Sequence, residues 1–178
     1  MVDSGAWLDE GLVLLAEQGA PAVTLQQMCE RMNLSKGAFY HHFGSMSKFR
    51  ARLLAHYEER YTTALIDVVE ETAGPSAREK LERLAREAIS DAGPDLEIAV
   101  RAWAKQDPQA AATQRRVDAT RLAYLRGLCR DAGHASPDRM AELLYVVLIG
   151  GAHLMPPLPA AEKHAIYDLL FPLLDAAK

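Results

Sequence analysis

Two runs of helical apolar spacing stand only three residues apart in this chain. Leu25, Met28, Cys29 and Met32 recur at i, i+3, i+4 and i+7, and a second short run covers Lys36 to His42 after Asn33-Leu34-Ser35. A break that short makes two brief helices cross instead of continuing, which is the dimension of a helix-turn-helix. Thr24 with Gln27 three residues on reads as a capping box, and Ser35 as the N-cap of the second helix. Leu34 fills the turn, while Phe39 and Phe43 face inward with Leu12 and Met28. Lys36, Gly37, Tyr40 and His41 are left pointing outward. The first residues of such a second helix meet the major groove of DNA. Gly37 and Ala38 are small enough for close backbone approach, Lys36 offers a charge, and Tyr40 offers a hydroxyl to a phosphate or a ring to a thymine methyl.

The remainder reads as helix too. No segment alternates apolar and polar residues as a half-buried strand does. Leu8, Leu12, Leu15 and Ala16 form a stripe that ends at Gly19. A longer helix starts near Ser45 to Ser47, carries one apolar edge of Phe49, Leu53, Tyr57, Tyr61, Leu65 and Val68, and stops at Gly74-Pro75. Gly93-Pro94, Asp107-Pro108, Gly133 to Pro137 and Pro156 to Pro159 then bound helices near 76–92, 95–106, 108–132, 137–154 and 160–176. The expected fold is all-α with about nine helices. A three-helix head over residues 1–50 is joined by the long helix to a helical bundle over residues 51–178.

The formal charge of −4 argues against a bulk polyanion binder but leaves room for a local DNA-binding face. Cys29 and Cys129 form no CxxC or Cys/His cluster, so no metal or other cofactor is expected, and both read as buried thiols of a reducing cytosol. No HExxH, GxSxG or facing Glu-x-x-His pair supports an enzyme. The acidic N-terminus lacks the pattern of a signal peptide, and the apolar stretch Leu143 to Met155 is too short for a bilayer. A cytoplasmic protein without a membrane partner is expected.

The run from Thr24 to Phe43, above all Ser35-Lys36-Gly37-Ala38-Phe39-Tyr40-His41-His42-Phe43, resembles the TetR family of transcriptional regulators. The resemblance is close over residues 7–57. It continues faintly through Arg101-Ala102-Trp103-Ala104, Asp107, Asp118 and Arg121. It implies a homodimer on a pseudo-palindromic double-stranded operator, released when a ligand binds the C-terminal part. On matching positions it implies DNA contacts for Thr24, Gln26, Ser35, Lys36, Gly37, Ala38, Tyr40 and His41. The chain departs from the family pattern at Met46, where a phosphate-binding lysine is usual, and Lys48 is assigned in its place. No Lys or Arg precedes Arg31, and Gly11 replaces a customary Ala, which weakens the first helix. Residues 1–50 carry Arg31, Lys36, Lys48 and Arg50 against Asp3, Asp9, Glu10, Glu17 and Glu30, so few phosphates can be neutralised per head.

In the body, Trp103, Tyr124, Leu128, Tyr145, His153 and Met155 are the candidate lining of a ligand cavity, and their apolar character points to a small lipophilic effector. Arg101, Asp118 and Arg121 read as structural ion-pair residues. The last two helices are too apolar for one buried face each. Ala141, Leu144, Leu148 and Gly151 of one, with Ile166, Leu170 and Leu173 of the other, are therefore expected at a four-helix dimer interface, where Gly150 to Ala152 permit close approach. The rival reading is a helical small-molecule-binding protein whose DNA head has weakened.

Overall fold

The computed structural model describes residues 3–72, 74, 76–89 and 94–175, with residues 94 and 173–175 described by their backbone alone. Among them every regular element is helical: α1 (Ser4–Gln18), α2 (Leu25–Met32), α3 (Lys36–Phe43), α4 (Met46–Glu58), α5 (Ala64–Thr72), α6 (Ala77–Ala88), α7 (Pro94–Ala104), α8 (Pro108–Asp131), α9 (Pro137–His153) and α10 (Ala160–Asp175), with a short 3-10 turn over Ala20–Ala22. A π turn, Glu59–Thr63, joins α4 to α5, so the long helix expected from the sequence is one run with an interruption. The chain forms two compact units. One comprises residues up to Glu59 together with Asp95–Arg115, and the other Arg60–Pro94 together with Arg116–Lys178.

The first unit is built around rings. Trp7 of α1, Phe39 and Phe43 of α3 and Phe49 of α4 are all buried. Ring centroids lie 5.5 Å apart for Trp7–Phe39, 5.2 Å for Phe39–Phe49 and 4.9 Å for Phe43–Phe49, in the edge-on or tilted arrangements aromatic quadrupoles favour. Leu12 and Met28 complete this core. Gly11 has a positive packing role here, whatever its cost in helix propensity. A Cβ on it would stand 2.9 Å from both Phe49 Cζ and Leu53 Cδ1, so glycine lets α4 lie directly against α1.

A polar network also closes inside this unit. Glu97 accepts from the Tyr57 hydroxyl at 2.8 Å, from Arg101 Nε at 2.8 Å and from Gln114 Nε2 at 3.3 Å. Arg101 thus makes the structural ion pair expected of it. A carboxylate this sheltered needs such donors to stay charged.

The second unit packs α6, α8, α9 and α10 around Leu81, Ala85, Leu125, Leu128, Cys129, Ala141, Leu144, Tyr145, Tyr167 and Phe171. Gly133 at φ 78° ends α8, with its amide on the Arg130 carbonyl and the His134 amide on the Cys129 carbonyl, a Schellman closure. The apolar edge expected for the long helix changes register at the π turn. Phe49, Leu53 and Tyr57 are buried in the first unit, but in the second the buried positions are Thr62 and Val69, not Tyr61 and Val68. The physical reason is the one extra residue a π turn absorbs, which rotates the following face by one position.

Candidate nucleic-acid interface

The turn between α2 and α3 is fixed by local chemistry. Thr24 Oγ1 accepts from the Gln27 amide at 3.3 Å and starts α2. Asn33 ends it in the left-handed conformation (φ 51°, ψ 43°), which asparagine tolerates better than most residues. Its amide reaches the Glu30 carbonyl, and the Leu34 amide reaches the Cys29 carbonyl. Ser35 Oγ then accepts from the Ala38 amide at 3.3 Å and opens α3. Both rods are held from within the head, because Met28, Phe39 and Phe43 are buried in the aromatic core.

The opposite face of α3 is open. Ser35, Lys36, Gly37, Tyr40 and His41 are exposed, Tyr40 by 48%, while Ala38 is half-buried. Gln26 is exposed on α2, with its amide nitrogen on Glu30 Oε1 at 2.9 Å, and Thr24 is half-buried at its cap. Lys48 is exposed on the first turn of α4. Its side chain folds back toward Gly44, where a Cβ would lie 4.0 Å from Nζ, so its charge stands beside the end of α3.

The cations of the head divide into two groups. Arg31 is held by Glu10 and by Glu17, the latter at 2.6 Å. Arg50 Nη2 donates to the Val23 carbonyl at 3.0 Å, and Arg52 donates to the His42 carbonyl and to Ser4 Oγ. These guanidinium groups brace the head internally. Among the described residues, Lys36 and Lys48 have no carboxylate partner. The sequence did not reveal that the arginines are occupied, because their partners are 10 to 48 positions away along the chain.

The residues proposed to line a ligand cavity are distributed over both units. A cavity of about 40 Å³ does lie in the second unit, walled by Leu81, Ala85, Leu125, Leu144, Tyr145 and Tyr167 among others. Of the six candidates only Tyr145 lines it. Leu128 is buried in the same core, and Tyr124 turns its hydroxyl outward to Glu70 Oε1 at 2.6 Å. Trp103 is buried in the first unit, His153 is exposed, and Met155 is 91% exposed. The hydroxyls of both wall tyrosines are already donated to protein acceptors, Tyr145 to Asp118 Oδ1 and Tyr167 to the Leu144 carbonyl, each at 2.6 Å. Burial pushes the Tyr167 hydroxyl well above its ordinary pKa.

The residues assigned to a dimer face differ in exposure within the single chain. Ala141, Leu144 and Gly151 are buried within their own unit, Leu148 lines the cavity, and Ile166 and Leu170 are half-buried. The side chain of Leu173 lies outside the described residues. The apolar side chains that α9 and α10 leave uncovered are Leu143, Val146 (65% exposed) and Leu169 (75%), with Gly150 open beside them.

An exposed second helix on a three-helix head, with Lys36 and Lys48 beside it, is the arrangement of a helix-turn-helix. Residues 8–53 match the bacterial regulatory proteins of the tetR family. The match covers α1 to α4 only in part and leaves the rest of the chain unmatched. No curated protein sequence matches the chain significantly.

Solved structures share the whole fold. A transcriptional regulator of the TetR/AcrR family superposes with a TM-score of 0.81 at 23% identity, over 94% of this chain and 97% of that one. A transcriptional regulator from Rhodococcus sp. Rha1 gives 0.78 at 19%, over 96% and 95%. The TetR-family regulator CifR, solved with a 26-base-pair double-strand operator, gives 0.70 at 24%, over 96% of each chain. Among the described residues, no helix is long and apolar enough to cross a membrane, and no cluster of three or more His, Cys, Asp or Glu is arranged to hold a metal ion.

Proposed function

We propose that the protein is a cytoplasmic, homodimeric repressor that grips a palindromic operator with residues 1–50 and responds to a small apolar effector through residues 51–178. The observation that carries this reading is the open face of α3, where Lys36, Gly37, Tyr40 and His41 stand exposed on a helix fixed from behind by Phe39 and Phe43. Thr24, Gln26, Ser35, Ala38 and Lys48 border it. Tyr40, Thr24 and Lys48 would meet backbone phosphates, and Gln26 with the start of α3 would reach base edges. CifR, of like fold, is known on operator DNA.

The uncovered Leu143, Val146 and Leu169 support a second copy as the cover for α9 and α10, with Gly150 allowing close approach. A two-fold pair of heads matches half-sites about 34–36 Å apart. The cavity supports an uncharged apolar effector, because its tyrosine protons are already bonded within the protein. About 40 Å³ admits only a few atoms, so a larger effector must displace half-buried wall residues such as Leu84 and Leu148.

The test is selection of a duplex from random DNA by the purified protein. A palindromic site bound by two protomers, lost on Tyr40→Ala or Lys36→Gln without loss of fold, is the expected result. Raised reporter output on deleting the gene would establish repression over activation. Xenon, which suits an apolar cavity of this size, tests the effector site in a pressurised crystal. The bracing of Arg31, Arg50 and Arg52 favours one rival, a ligand-binding protein with a weakened head. Failure to enrich any duplex at low salt would decide for that rival.

A further inference from the structure

Among the described residues, Lys163 is the only Lys, Arg, Asp or Glu that is buried, at 3% exposure. It precedes Tyr167 and Phe171 on α10 by four and eight positions, and both of those rings lie in the core of the second unit. Such a row is one face of a helix. The lysine therefore occupies a position that packing alone would give to an apolar side chain.

The chain makes room for it. Lys163 Cγ and Cδ lie 3.4 and 3.5 Å from where a Cβ on Gly151 would stand, so glycine at this point of α9 lets the lysine stem cross close to the helix backbone. Leu158 is drawn over the same spot. Its amide donates to the Gly151 carbonyl at 3.0 Å, and its Cδ1 lies 3.7 Å from that Cβ position. The stem thus runs where the end of α9 meets the segment that leads into α10.

The fold supplies this ammonium with no acceptor. Among the described residues, Lys163 has neither a carboxylate partner nor a side-chain hydrogen bond. Glu162 and Asp168, the nearest acids along α10, are exposed. The next residue, His164, is half-buried, and its Nε2 is shielded from solvent without a partner. An ammonium withdrawn from water is costly unless a counter-charge or strong acceptors compensate it.

We propose that Lys163 anchors a binding site for a small monocarboxylate at the junction of α9 and α10. The site is separate from the effector reading above and does not depend on it. One ammonium balances one negative charge. Gly151, Leu158 and the buried Ala152 around it are apolar, so the second charge of a phosphate would be left unbalanced in a sheltered place. Lys163 Nζ donates to a carboxylate oxygen in a charge-assisted bond, and the first turns of α10 add the favourable end of a helix dipole.

The test is calorimetric titration of the full chain with sodium acetate, sodium phosphate and sodium chloride at pH 7 and constant ionic strength. Acetate is expected to bind at one site per chain and to raise the melting temperature. Lys163→Met keeps an unbranched apolar stem and removes the charge. It is expected to fold, to weaken acetate binding about tenfold or more, and to melt at the same temperature with and without acetate. Gly151→Ala, which presses a methyl group on the stem, is expected to weaken acetate binding with the charge still present. Absence of saturable acetate binding, undiminished binding in Lys163→Met, or chloride or phosphate binding as tightly as acetate overturns the proposal. The preference of the unaltered protein among the three anions decides the matter even if Lys163→Met does not fold.

Discussion

The steepness with which salt weakens DNA binding follows from the division of cations in the head. Lys36 and Lys48 have no carboxylate partner, whereas Arg31, Arg50 and Arg52 are held by Glu10 and Glu17, by the Val23 carbonyl, and by the His42 carbonyl with Ser4. In the proposed dimer, two lysines in each of two heads release about four counterions, which gives a slope of log K against log salt of about −3.6. Raising salt from about 50 to about 200 mM should then weaken binding about 150-fold. The assay is fluorescence anisotropy on the selected duplex at pH 8, where an ordinary imidazole is neutral. Lys36→Gln should bring the slope to about −1.8, since each dimer loses two contacts. Arg31→Gln should leave it in place, because that charge is already committed to two carboxylates. A slope steeper than about −6, or one that Arg31→Gln changes as much as Lys36→Gln does, would refute the assignment of free and braced cations.

Gly11→Ala should destabilise the protein by about 1 kcal/mol in urea unfolding, because overpacking against Phe49 and Leu53 (about 1–3 kcal/mol) outweighs about 1 kcal/mol of gained helix propensity. Val146→Glu with Leu169→Glu should give a folded monomer in sedimentation, whereas Leu144→Glu should unfold the second unit, since Leu144 is 1% exposed and the other two are open. Burial pushes the Cys129 thiol up to about 11, so at pH 7.5 Cys29 should react with a thiol reagent well before Cys129, and equal rates would contradict the packing of α8. Hydrogen bonds from the Ser76 hydroxyl and amide hold the Glu79 carboxyl below its ordinary value. The stability it lends α6 is therefore present above the ordinary carboxylate pKa and lost as pH falls through the lowered one. Glu79→Gln should remove that part of the acid dependence in a pH-resolved thermal melt.

How much of this could be read from the sequence depended on whether a signal was local. The caps at Thr24 and Ser35, the turn at Asn33 and the inward Phe39 and Phe43 depend on neighbours within a few positions, and all were legible. Helix α9 was legible as a helix but not as to its faces. Leu143, Leu144, Tyr145, Val146 and Leu148 are apolar in every direction, so periodicity cannot distinguish the face that covers α6 and α10 from the face left open. The π turn was invisible for a related reason. Tyr61 and Thr62 both suit a half-buried position, and the hydrogen bond that Thr62 accepts comes from Arg121, 59 residues away. Gly11 misled in the opposite sense, since propensity marks it as a weakness and only the nearness of Phe49 and Leu53 explains it.

Two distant features, the braced arginines and the residues that stay open on α9 and α10, bear on one another. A head with two free lysines gains little from phosphates, so a single head would hold DNA weakly at moderate salt. Joining two heads turns the second contact into an intramolecular event, governed by an effective concentration in the millimolar range for closely linked sites. The scarcity of charge at α3 and the apolar side chains at Leu143, Val146 and Leu169 are then parts of one design. Val146→Glu with Leu169→Glu should cost operator affinity by about 100-fold or more while leaving each head intact. Separating the copies should also halve the salt slope, because each bound particle would then carry two free lysines instead of four. Undiminished affinity in a proven monomer would mean that the head binds through contacts other than those of Lys36 and Lys48.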